Sequence, residues 1–234
     1  MFDMGSTLLE YENVSWPILY TISLDAVRRR LVEMGKTPPD VARMQSRFFE
    51  FLERRRERLR TEMREYRVAE LMRSFLRSIG IKTLPGELSR LTDAYYAPIR
   101  RQVSVYPDAQ ATLAWLKDRG YTVGLLSNTC FRVGDHREEL TGFGLWHYFD
   151  AAEFTSTGLY RKPHPEPFRT IARKLKIPLD RCLYIGDRQI EDVTGPQGVG
   201  MTAVLVRRPH RAYQEGLTDA VEIWSLNELT ALVE

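Results

Sequence analysis

Asp3, Ser127, Lys162, Asp187 and Asp192 are residues whose types and settings could together hold a cation and a phosphate. Asp3 sits in Phe2-Asp3-Met4-Gly5-Ser6-Thr7-Leu8, and Ser127-Asn128 follows the apolar pair Leu125-Leu126. Lys162 lies in Arg161-Lys162-Pro163, and Asp187 closes Tyr184-Ile185-Gly186-Asp187, with Glu191-Asp192 just after. Carboxylates that converge without a counter-charge repel one another. A divalent cation relieves that repulsion, and an oxygen-only ligand set selects hard Mg²⁺ over zinc. Lys162 adds a fixed positive charge, Ser127 a hydroxyl, and the backbone amides after Asp3 and Ser127 can hold oxyanions. Taken singly, each has an ordinary explanation: an aspartate after a strand is a turn or cap residue, and Lys-Pro is a common surface pair. The order and spacing of the set carry the signal.

Such residues need elements to bring them together, and two patterns alternate along the chain. Residues 1–8 read as a very short strand opening into a tight turn. From about Trp16 to Arg100 the apolar spacing is helical: Leu24, Val27, Leu31 and Met34, then Phe48, Leu52, Leu59 and Met63, then Leu71, Phe75 and Ile79. Gly35, Pro38-Pro39, Gly80 and Pro85-Gly86 punctuate it into about four helices without strands. From Tyr106 the character changes. Val123-Gly124-Leu125-Leu126, Cys182-Leu183-Tyr184-Ile185 and Ala203-Val204-Leu205-Val206 are short apolar runs of the kind found in buried parallel strands. Helices are expected between them, from Pro107-Asp108 to near Gly120 and around Pro165–Leu175, and Ser225-Leu226-Asn227-Glu228 fits a capping box. Strands separated by helices imply βαβ units. The expected fold is α/β, a doubly wound parallel sheet of Rossmann type formed by residues 1–15 and 101–234, with an all-helical domain of residues 16–100 inserted after the first strand. Ligands in such sheets bind beyond the carboxyl ends of the strands, which is where Asp3, Ser127 and Asp187 fall.

Composition narrows the function classes. The 234 residues are 43% apolar, enough for a buried core. No run approaches the roughly 18 apolar residues of a membrane span, and no signal peptide is read at the start. Two cysteines, Cys130 and Cys182, lie in or beside expected core strands, which favours reduced thiols and a cytoplasmic setting. Residues 17–97 hold 17 Lys+Arg against 11 Asp+Glu, and the remainder 17 against 20. The run Glu53-Arg54-Arg55-Arg56-Glu57-Arg58-Leu59-Arg60 is read as a solvated helix face, because its glutamates supply i,i+3 and i,i+4 pairs. No nucleic-acid-binding motif accompanies it, so no nucleic-acid partner is expected.

The order of the motifs resembles the haloacid dehalogenase-like (HAD) superfamily of hydrolases. The stretch from Tyr106 to Val206 is similar throughout, including Tyr148-Phe149-Asp150, Lys162-Pro163 with Pro165, and Gly186-Asp187 with Asp192 and Gly195. The helical insert resembles that superfamily's cap, placed between its first and second motifs. The resemblance implies a nucleophilic Asp3 that forms an aspartyl-phosphate. It implies Mg²⁺ held by Asp3, the backbone carbonyl of Gly5, Asp187 and Asp192, with Asp192 acting through water or orienting Lys162. Ser127, Asn128 and Lys162 would meet the phosphoryl group of a small phosphorylated substrate, and Thr7 would fix the turn and contribute to substrate binding.

One position departs from the pattern. The phosphatases of this superfamily carry a second aspartate two residues after the nucleophile, where this chain has Gly5. That aspartate protonates the leaving oxygen, and such acid–base help is worth about 10² to 10⁴ in rate. Three readings stay open: a phosphohydrolase that is slow or takes its acid from the cap; a phosphonatase-like carbon–phosphorus hydrolase using a cap lysine, Lys36 or Lys82, as a Schiff base; and a weak or inactive regulatory domain that still binds Mg²⁺ and an anion. The halide-removing branch needs no metal and fits Asp187 and Asp192 less well. His164, beside Lys162-Pro163, could touch substrate, with a solvated loop residue as the plainer reading. Trp16 and Tyr95-Tyr96 could pack a hinge or line a pocket.

Overall fold

The computed structural model describes residues 1–233 and, within them, all side chains but those of 56–60. The chain divides into two compact units. One comprises Met1–Glu10, Ser104–Thr129 and Val133–Glu234; the other comprises Tyr11–Val103 with Cys130–Arg132.

The first unit is built on parallel strands. β1 (Leu9–Glu10) pairs antiparallel with β2 (Ser104–Val105) as a small ribbon. The main sheet contains β3 (Gly124–Ser127), β4 (Ala151–Phe154), β5 (Leu183–Gly186), β6 (Thr202–Val206) and β7 (Val221–Ile223). β4 pairs with β3, β5 with β6, and β6 with β7, all parallel. Phe2 joins the two halves. Its amide donates to Gly124 O at 2.8 Å, its carbonyl accepts from Leu126 N at 2.9 Å, and it bridges both Leu125 and Ile185 in parallel. The expected first strand is thus a single bridged residue at the middle of the sheet. The chain leaves it at once, because Met4 O accepts from Leu8 N and Leu9 N, both at 2.9 Å, and so turns the backbone away. β3 and β5 are buried almost throughout, as an apolar run covered on both faces must be.

The crossover helices of this unit are α5 (Ala109–Asp118), α6 (Val133–Gly142) and α7 (Pro165–Leu175), numbered after the four of the second unit. Phe168 and Ile171 of α7 pack with Tyr184 and Leu126 in one apolar cluster. β4, β7 and α6 were not expected from the sequence. β4 and β7 are only 4 and 3 residues long, and α6 buries His136 and Glu139 alongside a single leucine, Leu140. Near the C-terminus, Ser225 caps as expected: its hydroxyl accepts from Asn227 N at 3.2 Å, and Glu228 Oε1 accepts from Ser225 N at 2.8 Å. The helix it opens is a single 3₁₀ turn followed by Leu229–Leu232.

The second unit is helical. α1 (Trp16–Glu33), α2 (Val41–Thr61), α3 (Val68–Ser78) and α4 (Pro85–Arg101) form it; Leu24, Val27, Leu31, Phe48, Leu52, Leu71 and Phe75 are buried as their spacing implies, whereas Met34 and Ile79 are half-buried just past α1 and α3 and Met63 is exposed in the turn after α2. Phe48 meets Phe75 edge-on at 4.9 Å, an arrangement the ring quadrupoles favour. Tyr95 and Tyr96 are buried against Phe131, Tyr96 at 4.2 Å between centroids, and Trp16 lies against Tyr20. In the arginine-rich run, Arg54 pairs with Glu50 at 3.6 Å, with both side chains exposed. The side chains of 56–60, Leu59 among them, lie outside the described residues. Among the described residues no helix is long and apolar enough to cross a membrane.

Candidate metal and phosphate site

Every expected acid in the first unit arrives at one end of the sheet. Asp3 follows the bridged Phe2, and its amide donates to Ile185 O at 2.8 Å. Ser127 is the last residue of the neighbouring β3 and is almost fully buried. Asp187 follows β5 directly. Asp192 rises on a π-helical turn, Gln189–Thr194, whose wide spacing carries its carboxylate back over Gly186. A Cβ built on Gly186 would come within 2.5 Å of the Asp192 side chain, so only glycine fits under it.

Lys162 is the centre. Its side chain is 2% exposed, and its Nζ lies 2.7 Å from Asp3 Oδ1, 2.6 Å from Asp192 Oδ1 and 2.7 Å from the Tyr184 hydroxyl. A longer contact of 3.3 Å reaches Leu126 O. The Tyr184 hydroxyl itself donates to Leu126 O at 2.8 Å. The peptide between Lys162 and Pro163 is cis. A buried ammonium is tolerable only with such partners. Burial alone would lower its pKa, but the carboxylates of Asp192 and Asp3 outweigh that and hold it well above the ordinary lysine value.

The carboxylates feel the opposite pressure. Burial is the largest cause that raises Asp3, to about 7; Lys162 works against it, while Asp192 and Asp187 add to it. Asp187 is raised to about 6 by burial and by Asp192, against the pull of Arg211 and Arg188. Such pressure marks a place where positive charge is short. The three aspartates each bring a carboxylate oxygen within 4.8 Å of the others'. Among the described residues this is the one such group of His, Cys, Asp and Glu side chains. Asp187 Oδ1 is buried and has no hydrogen-bond partner, whereas Asp187 Oδ2 accepts from Arg211 Nε and Asp192 Oδ2 accepts from Arg188 N at 3.0 Å. An open carboxylate oxygen among all-oxygen donors suits a hard divalent cation.

The remaining expected residues take varied positions. Gly5 is half-buried in the turn after Asp3 and bridges Leu9. Both polar ends of the Asn128 amide are spent on the backbone of Lys162: Nδ2 donates to its carbonyl at 3.0 Å, and Oδ1 accepts from its amide at 2.8 Å. Those two bonds make Asn128 a holder of the Lys162 backbone. Thr7 is fully buried, with its hydroxyl unpartnered and its carbonyl accepting from Arg208 Nη2 at 2.9 Å. His164 is the N-cap of α7; its Nδ1 accepts from Glu166 N at 3.1 Å, and its ring stacks on Tyr160 at 3.7 Å.

Three participants were missed. Tyr184 reads as an apolar strand residue, yet it shares a face with Gly186 by the two-residue period of a strand and so points at Lys162. Arg208 and Arg211 follow β6. Arg208 is buried, donating from Nε to Ser6 O at 2.7 Å and from Nη2 to Thr7 O at 2.9 Å while lying over the Tyr106 ring. Their signal was available: they stand just past the carboxyl end of an apolar run, as Asp3 and Asp187 do.

The model of the haloacid dehalogenase-like hydrolases matches residues 1–200. A glyceraldehyde 3-phosphate phosphatase of Methanopyrus kandleri is 29% identical over 133 residues, 57% of this chain and 56% of that protein. A phosphoserine phosphatase of Thermus thermophilus is 30% identical over 146 residues, 62% of this chain and 57% of that protein. The matched segments thus span little more than half the length of these curated relatives. Among solved structures, a HAD phosphatase from Thermococcus onnurineus is 25% identical with a TM-score of 0.66, covering 99% of this chain and 95% of its own. A 2-haloacid dehalogenase from Pseudomonas syringae pv. Tomato shares the fold at 22% identity and a TM-score of 0.69, covering 99% and 96%.

Proposed function

The chain belongs to the haloacid dehalogenase-like hydrolases, and from that premise we propose that it is a Mg²⁺-dependent phosphohydrolase acting on a small phosphorylated metabolite through Asp3. One observation carries the reading: a buried lysine clamped between two carboxylates, with a third carboxylate beside them holding an oxygen open. That arrangement supports binding of a cation and an anion side by side.

In this reading Asp3 attacks phosphorus, the bond to the leaving oxygen breaks, and water then cleaves the aspartyl-phosphate. Lys162 and Ser127 bind the phosphoryl oxygens, and Lys162 favours the ionised form of Asp3 against its burial and holds it aimed. Asn128 holds the backbone of Lys162. Asp3, the Gly5 carbonyl, Asp187 and Asp192 would hold Mg²⁺, which when bound neutralises the carboxylates and the transferring phosphoryl group. Residues 16–100 act as the cap that selects substrate, with 1–15 and 101–234 as the core. Cys130 and Cys182 are not joined in a disulfide, which fits a cytoplasmic setting.

Gly5 directs the choice of substrate. With no acid at that position, aryl and acyl phosphates, whose leaving groups need little protonation, turn over fastest. The Schiff-base alternative is less well supported, because it needs a lysine free to attack a carbonyl. Lys36, one of its two candidates, is engaged with Glu87 Oε1 at 3.2 Å.

A phosphate panel tests this. Hydrolysis of an aryl phosphate should require Mg²⁺ and should fall by on the order of 10⁴ in Asp3→Asn. Gly5→Asp should raise turnover of alkyl phosphates by about 10² or more. Mg²⁺ binding without turnover of any phosphate would sink the enzymatic reading.

A further inference from the structure

The segment Arg207-Arg208-Pro209-His210-Arg211 leaves β6 and crosses to the turn after Asp3. Arg211 makes the decisive contacts there. Its Nε donates to Asp187 Oδ2, and its Nη2 donates to Ser6 Oγ at 3.0 Å. Ser6 is buried and holds a left-handed φ of 56°, a conformation a serine keeps only where its surroundings impose it. The turn supplies part of them, with Ser6 N donating to Leu9 O at 2.6 Å, and this segment supplies the rest: Arg211 on the Ser6 hydroxyl, Arg208 on the Ser6 carbonyl at 2.7 Å, and His210 Nε2 3.4 Å from the same hydroxyl. The second observation lies on Asp187. With Oδ2 taken by Arg211, Oδ1 is left buried and unpartnered.

We propose that Arg211 is a positioning residue that ties Asp187 to the Ser6 turn, so that Asp187 offers Oδ1 to a divalent cation while the loop carrying Asp3 is held in register with it. The assignment rests on the metal-dependent reading of the site and extends it to a residue outside the expected ligand set. A planar guanidinium can make both contacts at once, one through Nε and one through Nη2, whereas an ammonium is a point charge that cannot span them in fixed geometry. The turn after Asp3 has no side chain at position 5 through which to brace itself, and Arg211 supplies a brace from across the sheet end. Residues that orient metal ligands in this way are typically worth 10- to 100-fold in metal affinity or activity.

The substitution Arg211→Lys separates geometry from charge, because the positive charge stays while the two-point bridge is lost. Calorimetric titration of the full chain with MgCl₂ should show affinity falling about 10-fold in Arg211→Lys. Ser6→Ala, which removes the other end of the bridge, should show a loss of similar size. The double variant should lose little more than either single one, since contacting residues that act as a unit are not additive. Equal or tighter Mg²⁺ binding by Arg211→Lys, with wild type binding normally, overturns the positioning role and leaves the proposed function standing. Additive losses overturn the bridge in the same way. Absence of Mg²⁺ binding by wild type overturns both.

Discussion

The two units treat charge in opposite ways. In the helical unit most of the described ion pairs lie in water: Arg29 with Asp25, Arg30 with Glu33, and Arg67 with Glu70 are all half or more exposed on at least one side chain, Lys36 with Glu87 is more sheltered, and the interior is largely aliphatic and aromatic. In the α/β unit a lysine and three aspartates sit within the protein at the sheet's end, each under a tenth exposed. Burying charge is expensive even when it is paired. The helical unit therefore follows the pattern that stability alone would select, while the α/β unit carries a cost at the place where chemistry is proposed. A residue that violates the pattern is a better guide to function than one that obeys it.

Four measurements sharpen or break that contrast, the largest effect first. Lys162→Met should destabilise the α/β unit by about 3–5 kcal/mol in urea unfolding with EDTA present, because it strands the Asp3 and Asp192 carboxylates without a counter-ion. Leu24→Ala, in the helical unit, should cost roughly 2–4 kcal/mol through lost burial and a cavity, and it should leave Mg²⁺ affinity unchanged. The third concerns pH. Asp3 and Asp187 have folded pKa values of about 7 and about 6, above the ordinary aspartate value. These two groups bind more protons in the folded state than in the unfolded one between about pH 4 and pH 7, while the buried Met1 amino group, pulled down to about 5, works the other way above about pH 5. Metal-free wild type should therefore lose stability relative to the Asp3→Asn variant as pH rises through that window, and saturating Mg²⁺ should flatten the difference, because it binds the ionised carboxylates. An Asp3→Asn variant whose stability follows pH as wild type does would contradict the electrostatics described for the site. Smallest of all, Arg29→Ala should change the unfolding free energy by no more than about 0.5 kcal/mol.

The same contrast explains what could be read in the sequence. Helices α1, α2 and α3 announce themselves by apolar spacing, and β3, β5 and β6 by unbroken apolar runs. β4 and β7 do not, because Ala151-Ala152-Glu153-Phe154 and Val221-Glu222-Ile223 are too short and too mixed to stand out. α6 hides for a different reason: its buried face is largely polar, with His136 joined to Thr129 at 2.7 Å and to Glu139 at 3.0 Å. At the site, the order and spacing of the charges were legible, so Asp3, Lys162, Asp187 and Asp192 were found together. The groups that orient them were not. Asn128 works through another residue's backbone, Tyr184 counts as apolar in any hydropathy pattern, and Arg211 reaches back from a segment more than 200 residues away in sequence from Ser6.

Gly186 offers a way to switch the site off without altering any group that takes part in it. The room beneath Asp192 is sized for a hydrogen atom, so a single added methyl would wedge that carboxylate off Lys162 while leaving every acid, hydroxyl and cation in the chain. Gly186→Ala is thus a silent-chemistry control, a protein with full composition and a misaligned centre. It would tell whether a measured activity depends on the arrangement or merely on the presence of its parts.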